Sequence, residues 1–465
     1  MVFSSAIFLL LFLPIVFLGN LLVKNRFSNY FLLAASLIFY AWGEPYLVLL
    51  MIASIAFNYG VGILISRSGG IPKKLFLTLG IIINLGILGY YKYAGFFARI
   101  ANKILHADLI PVLQIALPIG ISFFTFQAMS YIIDVYRGDT EVSKNPVNVA
   151  LYIFFFPQLI AGPIVKYKDI NKQIESRSIG YVAVSDGLKR FIYGLAKKVL
   201  ISNVLGLCVD SIWSYDISLI DCKAAWIGAI AYTFQIYYDF SGYSDMAIGL
   251  GKMFGFNIPE NFNYPYLSHS ISEFWRRWHI SLGTWFREYL YIPLGGNRKG
   301  TFRTYLNLVI VFFLTGLWHG AAVSFVIWGL YHGFFSIIER LGLRKLLAKS
   351  RVISVIYTFL VVCIGWVMFR ATAFTDGLRY IARMFTPWKH PENFLETGYY
   401  MDGKTILILV LAFLGMGILT KLIPDKVRSA WKNSVPEAVY CVLLLLLSIV
   451  ALAGDTYNPF IYFQF

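Results

Sequence analysis

Charged side chains are scarce in this chain. Asp, Glu, Lys and Arg together make up 14% of its 465 residues, whereas hydrophobic residues make up 58%. Soluble domains carry about 25% charged residues. The scarcity excludes an ordinary soluble domain and predicts an all-α polytopic membrane protein. A window of about 20 residues gives about 11 transmembrane helices, with further re-entrant and interfacial helices.

Cysteine is also rare. The four cysteines are Cys208, Cys222, Cys363 and Cys441. They show no metal-type spacing, and a thiol in or beside an apolar run behaves as a small hydrophobe. We expect no disulfide framework, no metal site and no bound cofactor.

Acidic residues are few relative to basic ones. Lys and Arg number 40 against 24 Asp and Glu, which gives a formal charge of +16. In a membrane protein this excess usually lies in cytoplasmic loops that face anionic lipid, so nucleic acid is not needed to explain it. With Lys24 and Arg26 in the cytoplasm, the N-terminus lies outside. The first apolar run, 2–18, lacks a basic n-region and a cleavage site, which favours a membrane helix over a signal peptide.

Fixed-period repeats and low-complexity linkers are absent from the sequence, which favours one membrane domain over 1–465. Two of its apolar runs, 115–135 and 148–165, contain Pro and Gly residues such as Gly120 and Pro157. Backbone groups freed by such residues are tolerated at membrane depth only where they are buried in protein or face water. We therefore predict broken or re-entrant helices in both runs.

A polar pattern lies near the inner end of an apolar run at 226–250. It consists of Asp239, Ser241 and Asp245. We predict that these residues cap a helix around Ser241, with the coating of a cavity as the alternative.

The segment 258–297 alternates aromatic residues and arginines too densely for a plain span or a solvated loop. If 271–289 forms one helix, five of its residues lie on a single face at helical spacing. That face is Trp275, Trp278, His279, Leu282 and Phe286. One interpretation is an interfacial amphipathic helix with snorkelling arginines. The other is a re-entrant element whose His279 lines a polar cavity and whose arginines hold phosphate or another anionic group on the cytoplasmic side.

His319 lies inside the apolar run 305–338. An ionisable group at membrane depth is unfavourable by roughly 2 to 3 kcal/mol when charged, so its default interpretation is functional. The alternative is a neutral histidine that is hydrogen-bonded between helices as a packing element. His319 is the first catalytic candidate.

The other histidines are weaker candidates. His332 follows His319 by thirteen residues, so in one unbroken helix the two would point about 220° apart. They should not share a site unless Gly329 bends the helix. His106, His269 and His390 are interpreted as solvated or interfacial.

Several stretches together closely resemble the membrane-bound O-acyltransferase (MBOAT) family, in the branch of the bacterial alginate O-acetylase membrane subunit. They are 274–298, 316–320 and 325–333, together with 39–45, 117–127, 157–163 and 238–245. Their order and spacing are specific, and they extend over nearly the whole chain. The resemblance implies helices around a central tunnel. It also places the family's near-invariant histidine on His319 and its second, Asn-or-His, position on His279.

The resemblance implies transfer of an acetyl or similar short acyl group from a cytoplasmic thioester, acetyl-CoA or another, toward hydroxyls of a secreted or cell-wall polysaccharide. A neutral imidazole, with a pKa of about 6.5, suits proton removal from a hydroxyl at cellular pH. His319 is the expected general base, and His279 would position donor or acceptor or stabilise charge at the thioester carbonyl. The catalytic core region is 258–340. Expected donor-binding and substrate-binding residues are Trp275, Arg276, Arg277, Trp278, Arg287, Tyr291, Trp318 and Trp328.

Two alternative functions remain. Within the family, the chain could transfer D-alanine from a carrier protein to teichoic acid. Outside it, a transporter without chemistry would also suit broken helices, although paired buried carboxylates and inverted repeats are not evident. The longest polar loop, 371–404, is too short for a soluble catalytic domain. The resemblance implies that the protein lies in the bacterial plasma membrane. It also implies a periplasmic or extracellular partner with a serine-hydrolase-like fold that completes the transfer.

Overall fold

The computed structural model describes residues 1–388, 396–454, 457 and 461. The regular secondary structure of these residues is helical. His390 lies outside these residues. The helices begin with α1 Leu13–Leu22, α2 Asn25–Ala41, α3 Leu47–Arg67, α4 Gly70–Leu88, α5 Ala94–Leu105, α6 Ile121–Arg137, α7 Pro146–Phe154, α8 Phe156–Leu159, α9 Tyr167–Glu175, α10 Tyr181–Ala196, α11 Asn203–Trp213 and α12 Cys222–Met253. They continue with α13 Ile271–Arg277, α14 Ile280–Phe286, α15 Gly300–His319, α16 Val323–Ile338, α17 Arg344–Leu347, α18 Arg351–Arg370, α19 Phe374–Met384, α20 Thr397–Tyr400, α21 Gly403–Gly415, α22 Ile418–Leu422, α23 Asp425–Trp431 and α24 Val435–Gly454. Single 3₁₀-helical or π-helical turns lie at Phe8–Phe12, Gly89–Tyr93, Lys197–Ser202, Ile217–Leu219, Pro265–Leu267, Arg287–Tyr291 and Glu339–Leu343. The predicted all-α class is confirmed.

Six helical stretches of the described residues are long and apolar enough to cross a bilayer. They are Leu47–Arg67, Gly70–Leu105, Tyr181–Trp213, Gly300–His319, Arg351–Arg370 and Val435–Gly454. Shorter apolar helices lie at Phe8–Leu22 and Gly403–Gly415. A helix needs about 20 apolar residues to span the hydrocarbon core, so these elements make the chain a multi-pass membrane protein.

The chain forms two compact units. The first contains Met1–Phe191 and Ser244–Pro259, and the second contains Ile192–Tyr243 and Glu260–Phe465. The single domain at 1–465 stays a prediction.

Phenylalanine rings form the core of the first unit. Phe8, Phe12, Phe39 and Phe156 are all buried, and their ring centroids lie between 5.4 and 6.2 Å apart. These separations are those of favourable aromatic pairs. The cluster joins the start of the chain to α2 and α8.

Helices α3 and α4 of the same unit are joined by a buried amide pair. Asn58 Nδ2 donates to Asn84 Oδ1 at 3.1 Å, and Asn84 Nδ2 donates back to Asn58 Oδ1 at 2.8 Å. Hydrogen bonds between amides join helices where lipid offers no hydrophobic driving force.

The predicted helix breaks in the first unit are confirmed. Helix α6 begins only after Gly120, whose φ of 76° is left-handed. A Cβ on Gly120 would lie 2.7 Å from the carbonyl oxygen of Leu159, so no larger residue fits there. In the second run, α7 ends at Phe154 and Pro157 lies in the first turn of the separate helix α8. Proline at this point needs no backbone N–H.

In the second unit, α15 and α16 form a tight helical hairpin. A Cβ on Gly316 would lie 2.3 Å from the carbonyl oxygen of Phe325, and one on Gly329 would lie 2.2 Å from that of Phe312. The glycines therefore let the two backbones touch, as small residues do between membrane helices. The run 305–338 is divided between two helices, because α15 ends at His319 and Gly320 is extended.

The prediction of one helix over 271–289 is wrong. Helix α13 ends at Arg277, Trp278 is extended, and α14 begins at Ile280. Between them His279 has a left-handed backbone, with φ 46° and ψ 52°. The five residues of the predicted apolar face therefore do not share one face, because the helix axis changes at the histidine. We call this feature, Trp278 and His279 between α13 and α14, the histidine break.

The predicted helix cap around Ser241 is wrong as well. Asp239, Ser241 and Asp245 all lie inside the 32-residue helix α12. Within the second unit, Asp239 forms a buried ion pair with Lys198 at 2.6 Å. Within the first unit, Asp245 pairs with Arg190 at 2.6 Å. Mid-helix carboxylates in such a protein need a cationic partner because burial of an unpaired charge is costly.

Candidate active site

His319 is the last residue of α15 and is 5% exposed. Aromatic rings surround it. Its ring centroid lies 4.9 Å from that of Trp318, 5.0 Å from Trp328 and 5.3 Å from Phe369, each in an edge-to-face arrangement. His319 occupies the hairpin end because Gly320 stops the helix. These rings form an apolar shell on the faces of the imidazole that they contact.

His279 lies close to His319. The two ring centroids are 6.4 Å apart, and Trp318 is 5.9 Å from His279. On its other side, His279 meets the ring of Phe240 on α12 at 4.7 Å. The structure therefore brings together the two histidines that the sequence singled out, within one aromatic pocket of the second unit.

The left-handed backbone of His279 needs support, because such a conformation costs about 1 to 2 kcal/mol in a non-glycine residue. Asn261 supplies it. The backbone oxygen of Asn261 accepts a hydrogen bond from Ile280 N–H at 3.0 Å, and its side-chain Oδ1 accepts one from Ser281 N–H at 3.1 Å. These two bonds satisfy amide groups at the start of α14, which would otherwise lack partners.

A cavity of about 530 Å³ opens beside His279. Most of its lining is apolar. Two arginines, Arg276 and Arg287, and two threonines, Thr284 and Thr315, supply its polar groups. Thr315 is one helical turn before His319, so the cavity reaches the same end of α15. The prediction of a polar cavity needs correction, since this one is largely hydrophobic, as ligand sites usually are.

A second cavity, of about 490 Å³, shares Arg287 with the first. Its lining includes four cationic side chains, Arg287, Arg298, Lys299 and Arg340, together with Tyr291. Among the described residues that line it, none is an Asp or Glu. The cavity therefore has the charge required for phosphate or another anion.

The loop that lines this second cavity is held by α15. Asn307, fully buried, donates from Nδ2 to the carbonyl oxygen of Gly296 at 2.9 Å. Both Gly295 and Gly296 have positive φ, at 105° and 56°. Only glycine adopts such a pair of conformations at little cost, so this loop depends on the Gly-Gly pair.

Comparison with known proteins identifies the family. Residues 142–373 match the model of the membrane-bound O-acyltransferase family. A probable alginate O-acetylase of Pseudomonas putida is 44% identical to this chain over 489 residues, covering all of both proteins. The peptidoglycan O-acetyltransferase of Helicobacter pylori is 38% identical over 83% of this chain and 80% of its own. The teichoic acid D-alanyltransferase of Bacillus subtilis is 28% identical over 55% of this chain and 69% of its own.

This chain belongs to the membrane-bound O-acyltransferase family. It is accordingly a multi-pass membrane acyltransferase, as the resemblance implied.

Not every residue expected at the site of this MBOAT protein reaches the cavities. Arg277 instead forms an ion pair with Glu273 at 2.7 Å, one helical turn away. Trp278 is 2% exposed and packs 4.8 Å from Trp366 and 5.0 Å from Phe262. The contacts of both residues stabilise the histidine break, and their expected role in binding donor or substrate stays a prediction.

Three aromatic rings contact His332. Its centroid lies 5.2 Å from Trp328, 5.1 Å from Trp275 and 5.3 Å from Tyr331. The ring centroid of Trp328 also lies 5.0 Å from that of His319, so Trp328 lies between the two histidines. His332 and His319 lie on the two different arms of the hairpin. No bend at Gly329 is involved.

Two residues near the site escaped the sequence reasoning. Asn261 is one, and the other is Glu339, 1% exposed at the end of α16. The carboxylate of Glu339 accepts hydrogen bonds from the backbone N–H groups of Ile271 at 2.5 Å and Ser272 at 3.2 Å. It thus holds the first turn of α13, the helix that leads to His279. The only sequence signal for Glu339 is a carboxylate at the end of an apolar helix, and this signal does not identify the groups that bind to it.

Proposed function

We propose that this protein moves an acetyl group from a cytoplasmic thioester toward hydroxyls of a secreted or cell-wall polysaccharide. The observation that carries the proposal is the pair of buried histidines, His279 and His319, 6.4 Å apart beside an apolar cavity. Acyl transfer to oxygen needs a base that is neutral at cellular pH and a site that excludes water. An apolar aromatic shell around an imidazole meets both needs.

His319 acts as the general base. A ring nitrogen takes the hydroxyl proton while the hydroxyl oxygen bonds to the thioester carbonyl carbon. Collapse of the tetrahedral intermediate breaks the carbon–sulfur bond, and the proton on His319 passes to the leaving thiolate. The ester and the free thiol are released, and His319 is neutral again. General acid–base catalysis of this type contributes about a hundredfold to ten-thousandfold in rate.

The donor is a thioester that carries phosphate, such as acetyl-CoA. Its phosphate groups bind in the second cavity, among Arg287, Arg298, Lys299 and Arg340. Because Arg287 also lines the cavity beside His279, the thioester arm can extend from one cavity to the other. Trp275 and Arg276 line the cavity beside His279 and contact that arm.

The acceptor is a glycan hydroxyl reached through a periplasmic or extracellular partner with a serine-hydrolase-like fold. Support comes from the relatives, which are named for alginate and for peptidoglycan O-acetylation. D-alanyl transfer to teichoic acid is the competing reaction, named for a relative that is less similar and covers less of the chain.

Radiolabelled substrate distinguishes these functions. Purified protein in lipid nanodiscs is incubated with ¹⁴C-acetyl-CoA, its periplasmic partner and the glycan, with His319→Ala as the control variant. Label should appear on the glycan with wild type and not with the variant. Label that stays on the coenzyme with both proteins would instead indicate a transporter. D-alanine transfer from a loaded carrier protein, with no acetyl transfer, would favour the competing reaction.

A further inference from the structure

Asn261 lies at the centre of the hydrogen bonds around the histidine break. Its side chain is fully buried. The side-chain oxygen Oδ1 accepts from Ser281 N–H at 3.1 Å and from Ser281 Oγ at 2.9 Å, and it lies 3.3 Å from His279 Nδ1. One amide oxygen therefore meets a helix N-terminus and a histidine ring.

The backbone partner fixes the direction of these bonds. A backbone N–H can only donate, so the oxygen end of the Asn261 amide must face Ser281. That oxygen has no proton to offer, which makes His279 Nδ1 the donor in its own contact. A neutral imidazole carries one N–H and one lone pair, so the lone pair lies on Nε2.

We propose that Asn261 is a positioning residue that holds neutral His279 with its proton on Nδ1 and so makes Nε2 a hydrogen-bond acceptor. This inference rests on the proposed acyl transfer and narrows the role of His279 within it. In this tautomer, neutral His279 cannot donate a hydrogen bond from Nε2 to the thioester carbonyl. It instead accepts a hydrogen bond at Nε2, while His319 takes the hydroxyl proton.

Two substitutions of Asn261 separate positioning from folding. In Asn261→Asp, a carboxylate oxygen still accepts from Ser281 and His279, whereas Asn261→Ala removes the acceptor. We expect Asn261→Ala to lower the acetyl-transfer rate by roughly 10-fold to 100-fold, by analogy with the loss of the orienting partner of a metal-binding histidine. Asn261→Asp should recover most of the rate. Ser281→Ala, which removes one donor to the same oxygen, should keep the wild-type rate.

The dependence of rate on pH is the diagnostic measurement. A carboxylate beside His279 favours the imidazolium and raises the pKa of the ring, by about 1 unit or more. Because the ring must be neutral to accept a hydrogen bond at Nε2, the acidic limb of the Asn261→Asp profile should move to higher pH. Other ionisable groups on neighbouring elements are His319, the cavity residues Arg276 and Arg287, Asp239 in its ion pair with Lys198, and the exposed Glu260. All of them are the same in both proteins, so the shift reports the new carboxylate.

Nuclear magnetic resonance tests the tautomer without any turnover. Wild-type protein labelled with ¹⁵N-histidine should show a protonated Nδ1 and an unprotonated Nε2 for the residue whose signals vanish in His279→Asn. A proton on Nε2 would overturn the inference even in an active enzyme. So would an Asn261→Asp variant that recovers none of the rate lost in Asn261→Ala. If wild type transfers no acetyl group while the tautomer is as expected, the proposed function fails and the assignment of Asn261 stands.

Discussion

The two structural elements that carry the site histidines are stabilised in opposite ways. Hydrogen bonds position the histidine break and the helix before it, since Asn261 accepts from Ser281 N–H just after the break, and Ser270 and Glu339 accept from backbone N–H groups in the first turn of α13. The α15–α16 hairpin, which carries His319, is held by backbone contact at Gly316 and Gly329.

The difference corresponds to two needs of the site. Hydrogen bonds have preferred directions, so the polar contacts fix which way His279 points and which nitrogen bears its proton. Close packing has little directionality but sets distance within a few tenths of an ångström, so the glycines fix how far His319 lies from the second arm. We expect damage to the break to reduce catalysis and damage to the hairpin to reduce stability.

His319→Ala should produce the largest effect. Loss of the general base should reduce acetyl transfer by about a hundredfold to ten-thousandfold. Stability should change little, because a polar group within the membrane contributes about 0.6 kcal/mol through hydrogen bonding between helices. Label transfer and thermal unfolding, measured on the same preparation, check both parts. A well-folded variant that keeps most of its activity would leave His319 as a packing residue.

Sequence reasoning identified the pair of histidines but not how the chain presents them. His319 and His279 could be found because an ionisable side chain in apolar sequence is conspicuous, and because the surrounding motifs resemble those of the family. The break at His279 could not be found. The spacing of Trp275, Trp278 and His279 fits a continuous helix, and nothing local opposes one. The left-handed residue is stabilised by Asn261, eighteen positions earlier.

The hairpin shows the same limit in another form. The run 305–338 is largely apolar and contains four glycines, of a kind that a membrane helix tolerates, so its hydropathy alone does not show where a helix ends. The turn at Gly320 becomes favourable because Gly316 and Gly329 allow the two arms to touch. Packing between distant residues thus decides where the helix ends, and single-sequence patterns carry little of that information.

Glu339→Ala should have the second largest effect on activity. Without the carboxylate, the N–H groups of Ile271 and Ser272 lose their acceptor, which costs about 1 to 3 kcal/mol for each buried group left unsatisfied. Because α13 leads directly to His279, we expect roughly a tenfold to hundredfold fall in kcat, as when the outer partner of an active-site histidine is removed. Steady-state kinetics and chemical unfolding measure the two quantities.

Glu437→Ala is the matched control. That carboxylate also accepts a backbone hydrogen bond, from Asn433 N–H at 2.7 Å, at the start of α24. It should lose stability without a comparable fall in kcat. Equal falls in kcat for the two variants would mean that Glu339 has only a general structural role.

Gly316→Ala should reduce stability more than catalysis. The added methyl group would meet the carbonyl oxygen of Phe325 at 2.3 Å, so the arms must separate, at a cost of about 1 to 3 kcal/mol. Gly86→Ala in α4 meets nothing within 4 Å and should stabilise the protein by about 0.4 to 1 kcal/mol. Thermal unfolding compares the two variants. A Gly316→Ala protein as stable as wild type would show that backbone contact does not hold the hairpin.

His332→Ala should have the smallest effect on acyl transfer. This histidine is fully buried, but Trp328 lies between it and His319, and a Cβ on Gly365 would come within 2.8 Å of its Nε2. The neighbouring side chains therefore enclose His332 and leave no space for a substrate beside it. We expect less than about a tenfold loss in kcat, since the losses of a hundredfold or more that mark an acid or base should be absent. The comparison with His319→Ala is made at equal fractions of folded protein, because loss of the buried ring also leaves a cavity. A hundredfold fall in kcat with KM and stability unchanged would mean that protons pass around Trp328, and the catalytic surface would then include both arms of the hairpin.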